Sequence, residues 1–420
     1  MKYTLILLLL YLCACTKTQI PNFACDDHND GLILPSGFCA VVVADSLGRG
    51  RHLTVRENGD IYVALREPIG KGGIAALRDQ DGDAKADRIE YFGDIGGTGI
   101  RLHEDWLYFG ADNQIIRYAL QELDFIPTTE AEVVVNGFVE QSSHAAKPFE
   151  FDEDGYLYVN IGGPSNACQE MRRTPASNGV DPCPQLDYHG GIWQIALSSE
   201  EKNIHEDGNL FATGIRHGVA NAWHEGQLYV VQHGRDDLHR LWPDLFTEKQ
   251  NNELPAEEFL IVEEGADYGW PYCYYDPVKG AKKLSPEYGG DGEIDGRCAE
   301  ASLPIYGFPA HWAPNDLLFY TGTQFPEKYH GGAFVAFHGS WNRSPVQDGF
   351  QVTFLPMADG EITGEPERFA GGFIGADSIT TSGQARARPT GLALGPDGSL
   401  YISDSVNGRI WRIIYIDPQN

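Results

Sequence analysis

Three arginines and one histidine recur at nearly the same offset in this chain. Arg49, Arg216 and Arg388 each stand 13 residues before a tyrosine that closes a short alternating segment (Tyr62, Tyr229 and Tyr401), and His144 stands 14 before Tyr158. Aligning the segments that begin at Pro314 and Pro389 sets His311 level with Arg386. Equal offsets in equivalent units put side chains at one end of an assembly. Guanidinium groups repel one another, cannot shed their charge and grip planar carboxylates two-pronged, so a cluster of them calls for an anion at its centre. An imidazole titrates near neutrality and can take a proton from a hydroxyl. The set therefore describes a place that holds an acidic molecule and moves a proton. Singly, each arginine also reads as a strand-start residue paired with a neighbouring aspartate.

The offsets matter because the segments repeat. An apolar pair, a polar turn with Gly or Asp, and an alternating strand recur about residues 59–62, 105–108, 155–158, 226–229, 332–335 and 388–404. Each copy is a hairpin that cannot bury its apolar face alone, and radial stacking solves that for all of them at once. The expectation is an all-β chain: a six-bladed β-propeller with a long loop insertion between blades 4 and 5, in the stretch from Tyr229 to Val335. Inner strands of such a ring converge on the central axis. The propeller is expected over 34–420 as one domain, preceded by a signal segment at 1–15 and a tether at 16–33.

Lys2, an apolar run at 5–12 and the sequence Leu12-Cys13-Ala14-Cys15 have the layout of a secretory signal ending in a lipobox, with Cys15 as the lipid-bearing residue. An ordinary cleaved signal in which Cys15 is incidental is the alternative; either gives export to the periplasm or cell surface, with the outer membrane as destination where the envelope has two membranes. The only membrane contact expected is that anchor. Cys25, Cys39, Cys168, Cys183, Cys273 and Cys298 remain; six cysteines allow 15 connectivities, and nearest-neighbour pairing closes three short loops. No Cys-x-x-Cys-His attaches haem. A net charge of -29 repels nucleic acid and anionic membranes and tells against a polyanionic substrate, so a neutral sugar or a cation fits better; the alternative is that the charge only keeps an exported protein soluble.

Five further segments occur in order: Gly214-Ile215-Arg216-His217, Gln232-His233-Gly234-Arg235-Asp236, Asp267-Tyr268-Gly269-Trp270-Pro271, Phe337-His338-Gly339-Ser340-Trp341-Asn342-Arg343-Ser344 and Arg386-Ala387-Arg388-Pro389. With them the chain resembles the soluble pyrroloquinoline-quinone (PQQ) sugar dehydrogenases, the L-sorbosone branch above all, from about Leu34 to Ile414. The resemblance implies PQQ at the channel mouth over calcium, with oxidation of a sugar, sugar aldehyde or polyol and electrons passed to an external acceptor. It implies His144 as base, Arg216 stabilising the reduced cofactor, and Arg343, Arg386 and Arg388 on the cofactor. Trp270 and His233 are candidates for the same contact, Trp270 reading equally as a residue that fills the core of the insertion, and His217, His311 and His338 for shaping the substrate site. Gly234 and Arg235 would offer backbone carbonyls to calcium, although the second is Pro in the glucose enzymes. Those enzymes support the base with an Asp; here the corresponding stretch reads Gly162-Gly163-Pro164-Ser165-Asn166.

Asp79, Asp81, Asp83 and Asp87, around Gly82, have the spacing of a structural calcium loop without the terminal Glu of an EF-hand. An acidic solvated turn is the alternative. Six-bladed rings also host calcium-dependent lactonases and non-catalytic binding modules. A lactonase needs carboxylates on one axial ion, whereas the residues expected at this channel mouth are mostly Arg and His.

Overall fold

Each turn-centred repeat folds as the inner hairpin of a blade. In blade 1, Gly50–Val55 turns through Gly59, at φ +90°, into Ile61–Ile69, and Gly72–Arg78 and Arg88–Phe92 complete the sheet. Blades 2 to 5 begin with Gly97–His103, Phe149–Phe151, Ala220–His224 and Pro314–Phe319 and are built the same way. Blade 6 takes Pro389–Leu394, Leu400–Asp404 and Ile410–Tyr415 from the end of the chain and its outermost strand, Phe38–Ala44, from the beginning. This computed structural model describes residues 24–416 except 71 and 199, so the signal segment, Cys15 and much of the tether fall outside the described residues.

The repeat tyrosines explain why the ring closes. Tyr62, Tyr108, Tyr158, Tyr229 and Tyr401 are all buried, and each lies in an apolar cluster shared with the following blade. Six such clusters join the six neighbouring pairs of blades, the one between blades 5 and 6 being built on Phe325, Phe334, Phe369 and Trp411. Burying a ring of this size contributes about 2 kcal/mol, provided the hydroxyl finds a partner. Tyr62 Oη finds one in the Phe125 carbonyl at 3.0 Å.

The long insertion falls one strand earlier than expected, inside blade 4: residues 263–305 separate its third strand, Glu257–Val262, from its fourth, Tyr306–Phe308. The segment leaves and rejoins the same sheet because that sheet still needs its outer strand. It is pinned by Cys273–Cys298 and by two buried ion pairs, Lys282 with Glu258 and Glu287 with Arg235. Cys25–Cys39 and Cys168–Cys183 are also joined, so all three bridges follow nearest-neighbour pairing. No helix among the described residues is long and apolar enough to cross a membrane.

Candidate active site

One end of the ring is formed by the starts of the inner strands and the loops that follow the second strands. His144 comes from the first set, Gly163 from the second. The His144 backbone sits at φ +54°, a left-handed conformation that costs a non-glycine residue of order 1 kcal/mol and has to be held by its surroundings. The Gln141 side-chain amide donates to the carbonyls of Ser143, His144 and Gly162, at 2.8, 2.9 and 2.9 Å. His144 Nδ1 lies 2.5 Å from the Gly163 carbonyl oxygen. That oxygen only accepts, so Nδ1 carries the proton and Nε2 presents its lone pair. The orienting acceptor that the missing Asp left open is thus a backbone carbonyl. A Cβ on Gly162 would stand 2.8 Å from His144 Cβ, and one on Gly163 2.4 Å from the Trp270 ring, so this close approach requires the Gly pair.

His144 stacks on His217 with ring centroids 4.5 Å apart, and His217 lies 4.8 Å from His233. Burial, with the Arg216 guanidinium second, pulls the His144 pKa down to about 3, against the Gly163 bond. Burial and Arg216 likewise bring His233, whose Nε2 reaches the Pro314 carbonyl at 2.7 Å, to about 4. These imidazoles are neutral at working pH. His217 Nδ1 is buried without a hydrogen-bond partner.

The arginines divide differently from the expectation. Arg216 is buried and saturated: it reaches Asn166, the Gly234 carbonyl at 2.9 Å and Asp236 at 2.9 Å. Arg173 shares that carboxylate at 2.7 Å, and the two guanidinium groups hold Asp236 far below the usual carboxylate range against its burial. Arg386 turns to the Asp30 carbonyl at 2.6 Å, with that residue's carboxylate at 3.9 Å. Arg343 caps the Asn252 and Ala310 carbonyls on the wall of a cavity of about 480 Å³ reaching Ile33 and Arg368. Trp270 is only 4% exposed and donates to the Asn166 carbonyl, filling space under the 162–166 loop and offering no open ring face. His311 is anchored on the Asn251 carbonyl at 2.6 Å, and His338 on Ser405 Oγ at 2.7 Å.

Arg388 keeps its place, donating to the carbonyls of His338 and Gly339 at 2.8 and 2.9 Å. Beside it stands Arg51, which the offset pattern passed over. Arg51 has no hydrogen-bond acceptor among the described residues, and its Nε is buried. Burial, then repulsion from Arg66, Arg49 and Arg388, lowers its pKa to about 10, and burial brings Arg388 to about 10 as well. Arg49 and Arg66 are matched by Glu67 and Asp112, at 2.8 and 2.6 Å. No carboxylate lies within 4.0 Å of either guanidinium group among the described residues, although Asp404 accepts the Arg388 backbone N–H at 2.7 Å and partly offsets its charge. Two guanidinium groups with no ion-pair partner, on a chain of charge -29, can take up an anion. Period-two alternation from Arg49 was the sequence signal for Arg51. Trp341, 53% exposed, has the Arg173 guanidinium over its ring at 5.8 Å and is far more accessible than Trp270.

Below this end the axis is closed by a buried polar floor. His52 crosses from blade 1 to the Asn315 carbonyl of blade 5 at 2.6 Å, and Arg101 joins Glu150 at 2.6 Å and Asp316 at 3.5 Å. The carboxylates nearest the axis are therefore already paired.

The Gly234–Arg235 carbonyls expected to hold calcium do not fit a dication as they stand. Arg216 occupies the Gly234 oxygen, Asp236 is shared between two guanidinium groups, and the Arg235 side chain turns away to buried Glu287. At the distal loop Asp79, Asp81 and Asp87 bring carboxylate oxygens within 4.8 Å of one another. Asp83 falls outside that group and accepts the Lys85 N–H.

Related proteins agree with the fold. The chain is 28% identical over 278 residues to an uncharacterised protein of Borreliella burgdorferi, covering 65% of this chain and 61% of that one. It is 27% identical over 246 residues to a pyrroloquinoline quinone-dependent pyranose dehydrogenase of Coprinopsis cinerea, covering 50% of this chain and 32% of that one. The matched region thus spans less than two thirds of either relative. The holo form of the PQQ domain of the Coprinopsis cinerea pyranose dehydrogenase superposes with a TM-score of 0.72 at 18% identity, covering 91% of this chain and 97% of that domain. A family model described as TrAA12-like matches residues 32–415, nearly the whole propeller, and the chain belongs to that family.

Proposed function

We propose that this protein is a PQQ-dependent oxidoreductase that oxidises a sugar, sugar aldehyde or related polyol and hands the electrons to an external acceptor. The observation that carries the reading is that Arg51 and Arg388 have no carboxylate against their guanidinium groups, at the same end of the ring as a neutral, oriented His144, with His217 stacked on His144 and feeling the Arg51 charge. PQQ is a flat quinone bearing carboxylates, and such a group would supply Arg51 with the acceptors it lacks and both guanidiniums with negative charge. Bound there, it would supply an electrophilic carbonyl carbon to take the hydride.

The chain's own part is positional and acid–base. His144 Nε2 takes the hydroxyl proton of the substrate as the carbon–hydrogen bond opens, and Gly163 stabilises the imidazolium by keeping the Nδ1–H bond. Arg216, buried behind the imidazoles, disfavours premature protonation of His144, so the base stays available. Trp341 provides an apolar face suited to the C–H side of a sugar ring. Calcium is assigned no step here. The Asp79, Asp81 and Asp87 oxygens are proposed as a structural calcium site. Three disulfides suit an oxidising compartment and support export, and the anchor at Cys15 is proposed from the sequence alone.

Titrating the purified protein with PQQ and following dye-coupled oxidation of a sugar panel tests the reading. Saturable binding with sugar-dependent dye reduction is expected. Lactone hydrolysis without quinone, or a ligand bound with no turnover of any sugar, would overturn it.

A further inference from the structure

The charge buried deepest beside His144 belongs to a residue that the reaction above does not use. Lys147 is 0% exposed, and no carboxylate lies within 4.0 Å of its ammonium among the described residues. Its Nζ donates to the Ala145 carbonyl at 2.6 Å and to Gln141 Oε1 at 3.3 Å, and it sits 5.5 Å from the centroid of Phe138. Hiding a nearly unpaired ammonium is expensive, and a neutral side chain of equal length would fill the same space more cheaply. Burial drags its pKa to about 8, with Asp112 opposing and Arg66 assisting.

The bonds show what the charge does. An ammonium has only donors, so it fixes Gln141 with the amide oxygen toward Lys147 and the amide nitrogen away. That nitrogen reaches the carbonyls of Ser143, His144 and Gly162. Gln141 therefore ties the His144 backbone to the peptide immediately before Gly163, whose oxygen selects the His144 tautomer. Turned the other way, the amide would set an acceptor against three acceptors and release both sides.

Resting on the reading of His144 as base, we propose that Lys147 and Gln141 are positioning residues: the buried ammonium locks the Gln141 amide, and the amide holds His144 in its left-handed backbone with the proton on Nδ1. The Asp112 carboxylate and Arg66 guanidinium across from Lys147 set how firmly that charge is kept.

The test uses Lys147→Met and Gln141→Leu in the full chain, with ¹⁵N-labelled histidine and His144→Gln to assign the signal. Without cofactor, wild-type His144 is expected to show the Nδ1–H tautomer alone; either variant should show mixed tautomers or the Nε2–H form. With PQQ, kcat should fall about tenfold to a hundredfold while the Kd for PQQ stays within about twofold. A pure Nδ1–H signal in both variants, or unchanged kcat in both, would overturn the proposal. If Lys147→Met does not fold, Gln141→Leu decides alone. Should the wild-type protein oxidise no sugar, the functional reading fails, while the tautomer spectra still decide the positioning claim.

Discussion

Replacing Arg51 with Met should move two quantities in opposite directions. Without cofactor, the guanidinium is a liability: it sits beside Arg388, Arg49 and Arg66 with no acceptor of its own. Its depression from 12.5 to about 10 bounds the cost of holding the charge at ~3 kcal/mol. Partial solvent access reduces that to about 1 kcal/mol. Arg51→Met should therefore raise the melting temperature of the cofactor-free protein by roughly 1 °C. With PQQ, the same change removes a charge-assisted hydrogen bond of about 1.5–3 kcal/mol, weakening binding roughly 10- to 150-fold. Scanning calorimetry reads the first effect and titration calorimetry with PQQ the second, at two salt concentrations because the attraction is electrostatic. A generally damaging substitution would lower both stability and affinity. A fall of several degrees, or wild-type affinity in the variant, would refute the idea that Arg51 waits for an anion.

His144→Gln should abolish sugar-dependent turnover by a factor of about 100 or more while PQQ still binds, checked by steady-state kinetics beside a binding isotherm. His144 and His233 are depressed from 6.5 to about 3 and about 4, and His52, His217 and His338 are lowered too, so the unfolded chain binds more protons than the folded one in mild acid. The stability they contribute is complete above about pH 6.5 and should drain away as pH falls from there toward 4, visible as a declining melting temperature. Millimolar calcium should raise the melting temperature of the wild-type protein but not of Asp81→Asn, and magnesium should be a weak substitute; equal response of both proteins would remove the proposed metal from the Asp79–Asp87 loop.

The ring was legible because its cause is local. A tyrosine closing each hairpin must be buried on the next blade, and the turn residue before it must permit a tight reversal, so both leave marks at regular places in the chain. The offset from that tyrosine also identified which end of the ring a residue approaches, and His144 and Arg388 lie there together. It carried no information about where a long side chain turns. Arg386 swings to Asp30, 356 residues away in sequence, and Arg343 to carbonyls of another blade's loop. Trp270 looked available because its segment is rich in turn residues, yet Gly163 and Gly190 leave room for its ring underneath. The acceptor for His144 was hidden for a different reason: any residue has a carbonyl, so a backbone partner has no sequence signature.

Blade 6 joins strands from the two ends of the chain, with Phe38–Ala44 zipped antiparallel to Ile410–Tyr415. A ribosome therefore releases the final strand only after every other blade has been made, and until then the first strand has no partner and blade 1 lacks its neighbour on that side. A nascent chain halted before residue 410 leaves the Phe38–Ala44 strand without the partner that covers its edge, one mark by which chaperones and proteases can tell it from a closed ring.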